Sequence, residues 1–160
     1  MGVNTMELKQ EYEQDFHQWI EHHITLLRSG RFNEIDVEHL IEELEGMAGR
    51  DRNELVSRLK ILIAHLLKWQ FQLQQLNEKW QEFDGRSWRR SIIEQRSQLA
   101  DLLENIPSLK HHLSESVNLA YPKAINLAID ETKLPKSLFP KTCPYTVEQL
   151  IDKEFYPPSE

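Results

Sequence analysis

The run ELVSRLKILIAHLLKWQFQLQQL, residues 54–76, constrains the fold more than any other stretch of the chain. It contains no proline or glycine and is long enough for about six helical turns. Wound as a helix, Leu55, Leu59, Leu62, Leu66, Trp69, Leu73 and Leu76 form one stripe, leaving a narrow back for Ser57, Lys60, Lys68 and Gln75. A helix apolar over so much of its circumference is packed by neighbours on several sides, so it is expected to be the central element. Arg58, His65 and Gln72 recur every seven residues as a polar line beside the stripe.

The rest of the chain supplies the neighbours. Residues 6–28 read as one amphipathic helix carrying Leu8, Tyr12, Phe16, Trp19, His23 and Leu26 on a face, with Ser29-Gly30 as its stop. Asp36 reads as the N-cap of a second helix with Val37, Leu40, Ile41, Leu44 and Ala48 inward. Gly46 and Gly49 predict a bend in it before Asp51. After the central helix, NEKWQEFDGR reads as an exposed connection. Ser87 is the expected cap of a fourth helix with Trp88, Ile92, Leu99, Leu103 and Ile106 inward, which Pro107 ends. A fifth runs over 108–132, with a kink at Pro122 and Val117, Ala120, Tyr121, Ala124 and Ala128 inward. LPKSLFPKTCPYT, with its three prolines, should lie extended, and Thr146 with Gln149 forms a capping box for a short last helix. No alternating strand pattern occurs. The prediction is a single-domain, all-α bundle of about five main helices around residues 54–76, ordered over about 6–155.

Composition narrows the functional classes. No apolar run reaches the roughly 18 residues a membrane span needs. The opening MGVNTMELKQEYEQ lacks the basic region and apolar run of a secretory signal, and Cys143 is the single cysteine, which together predict a cytoplasmic protein. A net charge of −7 argues against a nucleic-acid binder that uses its whole surface.

Several phrases, taken in order, carry a resemblance: YEQDFHQWIEHHITLLRSGRFNEIDVEHLIEELE, LIAHLLKWQ, SWRRSIIEQR, NIPSL, DETKLP and CPYTVEQLID. The chain resembles the bacterial domain-of-unknown-function family number twenty-nine, common in photosynthetic bacteria, from about Tyr12 to Phe155. The resemblance implies an all-helical cytoplasmic protein and brings no activity with it.

Candidate site residues are the polar ones at inward positions, since burying them without partners is costly. They are Asp15 beside Trp19, flanked by His22 and His23; Arg58, His65 and Gln72; Gln95 and Arg96 either side of Leu99; and Glu131. One reading makes them a structural hydrogen-bonded network. The other makes them a site, with His65 as base or ligand, bonded to Asp15, Glu131 or Gln95. No metal site is predicted: a second Glu-x-x-Glu half to match Glu42 and Glu45 is missing, as is His-Glu-x-x-His. No phosphate loop or nucleophile elbow is present, so no cofactor is expected. Cys143 reads as packing.

The function these residues favour is a protein–protein interaction module, binding another protein or a second copy, with Phe71, Trp80 and Phe83 as outward apolar contacts. The alternative is an enzyme or small-ligand protein with an inter-helix pocket around Asp15, His65, Arg96 and Glu131. Nucleic-acid binding through Arg86, Arg89 and Arg90 ranks third, because Arg96 turns inward and acids dilute the field.

Overall fold

Asp15 breaks the first expected helix in two. In the computed structural model, which describes residues 4–73 and 85–158, helix α1 (Thr5–Gln14) ends at Asp15 and helix α2 (Phe16–Arg28) begins from it. The Asp15 carboxylate accepts from the Gln18 backbone N–H, capping α2, so Asp15 is an exposed cap and not an inward polar residue. Gly30, at φ 73, takes the left-handed conformation that follows the Ser29 cap.

Helix α3 spans Val37–Phe71 as 35 uninterrupted residues. Gly46 and Gly49 lie within it without interrupting it: each costs about 1 kcal/mol relative to alanine, too little to stop a helix whose later turns are locked into a core. Helix α4 (Arg86–Asn105) is capped by Gly85, not by Ser87, which sits inside its first turn. Gly85 is buried at φ 77, a conformation that favours glycine, and an added Cβ would lie 2.8 Å from Leu73 Cδ1, which would have to shift. Asp84 and most of the expected exposed connection lie outside the described residues. Pro107 opens a 3-10 turn (Pro107–His112), and helix α5 (Leu113–Thr132) carries Pro122 within it. The short helix α6 (Val147–Ile151) follows a 3-10 turn at Lys136–Leu138 and has the expected capping box, with Thr146 Oγ1 accepting from Gln149 N and Gln149 Oε1 from Thr146 N. The fold is all-α; no strand occurs among the described residues.

Two compact units divide the chain, residues 1–50 and 51–160. The first has a small core of Leu8, Trp19, Leu26 and Ile35, with Tyr12, Ile20 and Leu40 packed against it. In the second, Leu55, Leu59, Leu62 and Leu66 of α3 are fully buried among Ile92 and Leu99 of α4, Val117, Ala120, Ala124 and Ala128 of α5, and Leu150 of α6. The stripe read for residues 54–76 is therefore the centre of this unit over its described part. Two of its expected exceptions reverse. Lys68 is buried, not solvated, and Phe71 is buried edge-on against Phe139, not outward. Trp80 and Phe83 lie outside the described residues.

Candidate functional site

In the first unit the sequence pattern hides a buried polar knot. Asp36 is fully buried at the start of α3, where its carboxylate does more than cap. Trp19 Nε1 donates to Asp36 Oδ2 over 3.2 Å, His39 Nδ1 donates to the same oxygen over 2.6 Å, and the His39 backbone N–H reaches Oδ1. Burial alone pushes this carboxyl up. The donors from His39 and Trp19 outweigh it and hold the group below the usual aspartate range. His23, also buried, donates through Nδ1 to the Trp19 carbonyl and accepts the Asp36 backbone N–H at Nε2, which fixes one neutral tautomer. Tyr12 stacks on His39 with ring centroids 3.9 Å apart and donates its hydroxyl to Glu43, a bond that pushes the phenol up to about 12. Sequence reading names His23 as an inward residue and Asp36 as a cap. The 17-residue separation of Trp19 and Asp36 conceals that they meet.

The Asp36–His39 pair orients an imidazole as a carboxylate orients a general base. No hydrogen bond among the described residues brings a hydroxyl or thiol to that ring. Nor does any group of three or more His, Cys, Asp or Glu side chains converge as a metal site among the described residues.

In the second unit the predicted inward residues separate into two places. His65 is half-buried and donates from Nδ1 to the Ile61 carbonyl at 2.9 Å, one turn back on its own helix, not to Asp15, Glu131 or Gln95. Burial pulls its pKa down, with Lys68 acting in the same direction, while the Ile61 bond and Glu131 oppose. Lys68, which sequence reading placed on the solvated back, forms the ion pair with Glu131 and lies 5.4 Å from the Trp88 ring centre. Gln72 makes only a long contact to the Thr132 carbonyl, at 3.5 Å. Arg58 pairs with Glu54 along its own helix at 3.7 Å. His65, Lys68, Gln72, Glu131 and Thr132 thus line one α3–α5 seam.

Arg96 belongs to another place. Its guanidinium is buried and donates to three carbonyls: Nε to Leu150 at 2.8 Å, and its terminal nitrogens to Gln149 at 3.0 Å and Phe155 at 2.7 Å. It also faces the Tyr156 ring, which Arg89 approaches at 4.8 Å. Burial lowers its pKa, and no acid pairs with it directly. These donors are committed to holding the C-terminal segment, so Arg96 is a clamp. Gln95 Oε1 is buried without a hydrogen-bond partner among the described residues. Cys143 is half-buried, and burial raises its thiol pKa, consistent with packing.

The exposed surface is as informative as the buried groups. Val37, Ile41, Leu44 and Ala48, expected inward, are exposed along the first turns of α3. Of the thirteen exposed large apolar side chains among the described residues, nine lie in the first unit, more than the four in its buried core. That unit carries eleven Asp and Glu against four Lys and Arg, so it holds the whole net −7 and the second unit is neutral overall. No helix among the described residues is long and apolar enough to cross a membrane.

No curated protein and no solved structure matches the chain. One family profile does, over residues 11–156, which takes in the polar knot, the seam and the Arg96 clamp. The chain therefore belongs to the family described as domain of unknown function DUF29.

Proposed function

We propose that the protein is an interaction module whose first unit docks a basic amphipathic helix of a partner protein on the face of α3 formed by Val37, Ile41, Leu44 and Ala48. The observation that carries this reading is the coincidence, within one small unit, of an unburied apolar stripe and the chain's entire net negative charge. A unit exposing more large apolar side chains than it buries gains from a partner that covers them. Glu38, Glu42 and Glu45 flank the stripe and are exposed, matching a helix with lysine or arginine beside its apolar face. A second copy of the same face would set like charge against like, so the occupant is a different chain.

A short Leu/Lys amphipathic peptide tests this directly by circular dichroism and titration calorimetry. Helicity gained on mixing, weakened by salt and abolished by Ile41→Glu with Leu44→Glu, is expected. A matched Leu/Glu peptide should not bind. Equal binding of both peptides, or a dimer in sedimentation that the same two substitutions dissociate, would overturn the reading.

A further inference from the structure

A cleft of about 590 Å³ opens in the second unit between the middle of α5 and the segment that follows it. Its floor is apolar: Tyr121, Ile125 and Phe139 are all buried. The Tyr121 hydroxyl donates to the Pro140 carbonyl at 2.6 Å, and Phe139 is seated edge-on against Phe71 at 5.5 Å. The first contact holds the following segment to α5 and the second holds it to the end of α3, so the cleft is built into the fold. The Tyr121 hydroxyl has its donor spent on that wall, and burial pushes the phenol up to about 12, so it stays neutral.

The rim has the opposite character. Lys136 and Lys141, both on the segment after α5, line it and are exposed, and neither side chain has an ion-pair or hydrogen-bond partner among the described residues. Among the described residues no Asp or Glu lines the cleft. Binding pockets for small molecules are commonly about 300–1,000 Å³, mostly apolar, with a few polar groups that fix orientation. Volume, floor and rim all agree with that pattern, and the sign of the rim selects the ligand.

We propose that this cleft binds a small amphipathic anion, its hydrocarbon body over Tyr121, Ile125 and Phe139 and its carboxylate or phosphate head between Lys136 and Lys141. This site is independent of the docking face on α3, with which it shares no residue.

Octanoate, octyl phosphate, octanol and octylammonium serve as probes, titrated into the full chain by calorimetry with methyl and amide NMR shifts recorded alongside. Octanoate or octyl phosphate should bind and shift Ile125 and Phe139, and the stronger of the two identifies the head. Lys136→Gln with Lys141→Gln, exposed changes that leave the fold intact by circular dichroism, should weaken binding by about tenfold or more, the scale of losing charge-assisted contacts. Asn126→Trp, placed on the exposed rim, should block it. Octylammonium bound as tightly as octanoate, octanoate shifts located elsewhere, no binding of either anion, or an unchanged affinity in the double lysine variant would each overturn the proposal.

Discussion

Trp19 and Asp36 are joined by a buried hydrogen bond of 3.2 Å from the indole Nε1 to Oδ2, which ties α2 to the first turn of α3. The same carboxylate holds His39, and the Asp36 backbone N–H holds His23, so one residue organises three side chains of the first unit. Replacing Asp36 by alanine strands a buried indole N–H and removes a charged acceptor, a loss of about 3 kcal/mol. Asp36→Asn keeps an acceptor and should cost less. Chemical denaturation of the two variants measures the difference, and equal losses would mean that a neutral acceptor recovers nothing of what the carboxylate supplies.

Acid should loosen the same knot. The folded Asp36 pKa lies below its unfolded value near 3.9. Its stabilisation is therefore complete above roughly pH 4 and is lost as pH falls through the folded value. The Trp19 indole N–H resonance should stay in place from neutral pH down to about 4 and move below it. In Asp36→Asn that step should vanish.

Arg96 and Arg90 share helix α4 and the same charge, yet only Arg96 is buried. Arg96→Met strips three carbonyls of their donors and should destabilise by about 3 kcal/mol. Arg90→Met, on the exposed face, should fall within about 0.5 kcal/mol of wild type. Parallel urea titrations decide it; matching midpoints would contradict the clamp.

Lys68 is the more buried partner of its ion pair, with Glu131 about half exposed. Glu131→Gln leaves a buried ammonium uncompensated and should cost more than Lys68→Met, which replaces that ammonium by an apolar chain of similar length. Thermal melts of both single variants and the double variant test the order. A double variant no better than Glu131→Gln alone would show that the buried charge is not the source of the cost.

Leu62, fully buried at the middle of the described α3 core, is expected to lose roughly 2–5 kcal/mol on truncation to alanine. A loss below about 1 kcal/mol in chemical denaturation would place it outside the core.

Helical phase read the second unit well because each turn of α3 from Leu55 onward meets neighbours, and Leu55, Leu59, Leu62 and Leu66 obey the arithmetic. It failed where something non-local or non-periodic decides. Asp15 breaks a helix by capping, which an uninterrupted amphipathic pattern does not display. Lys68 is buried because Glu131, 63 residues on, receives its charge. Val37, Ile41 and Leu44 have the spacing of core residues yet are exposed among the described residues, because periodicity marks an apolar face and does not say whether anything covers it. His65 is half-buried and bonds to the carbonyl one turn behind it, a local partner that side-chain spacing does not display.

The Arg96 clamp also sets an order of events during synthesis. Its acceptors, the carbonyls of Gln149, Leu150 and Phe155, are made 53–59 residues after the guanidinium they hold. At translation rates of about 5–20 residues per second, the cation waits roughly 3–12 s for them. The first unit has no such delay, because Trp19, His23, Asp36 and His39 all lie within one short stretch of chain. The nascent protein is therefore expected to close its polar knot while the second unit is still being made, and to complete that second core only once residues 149–155 have been added.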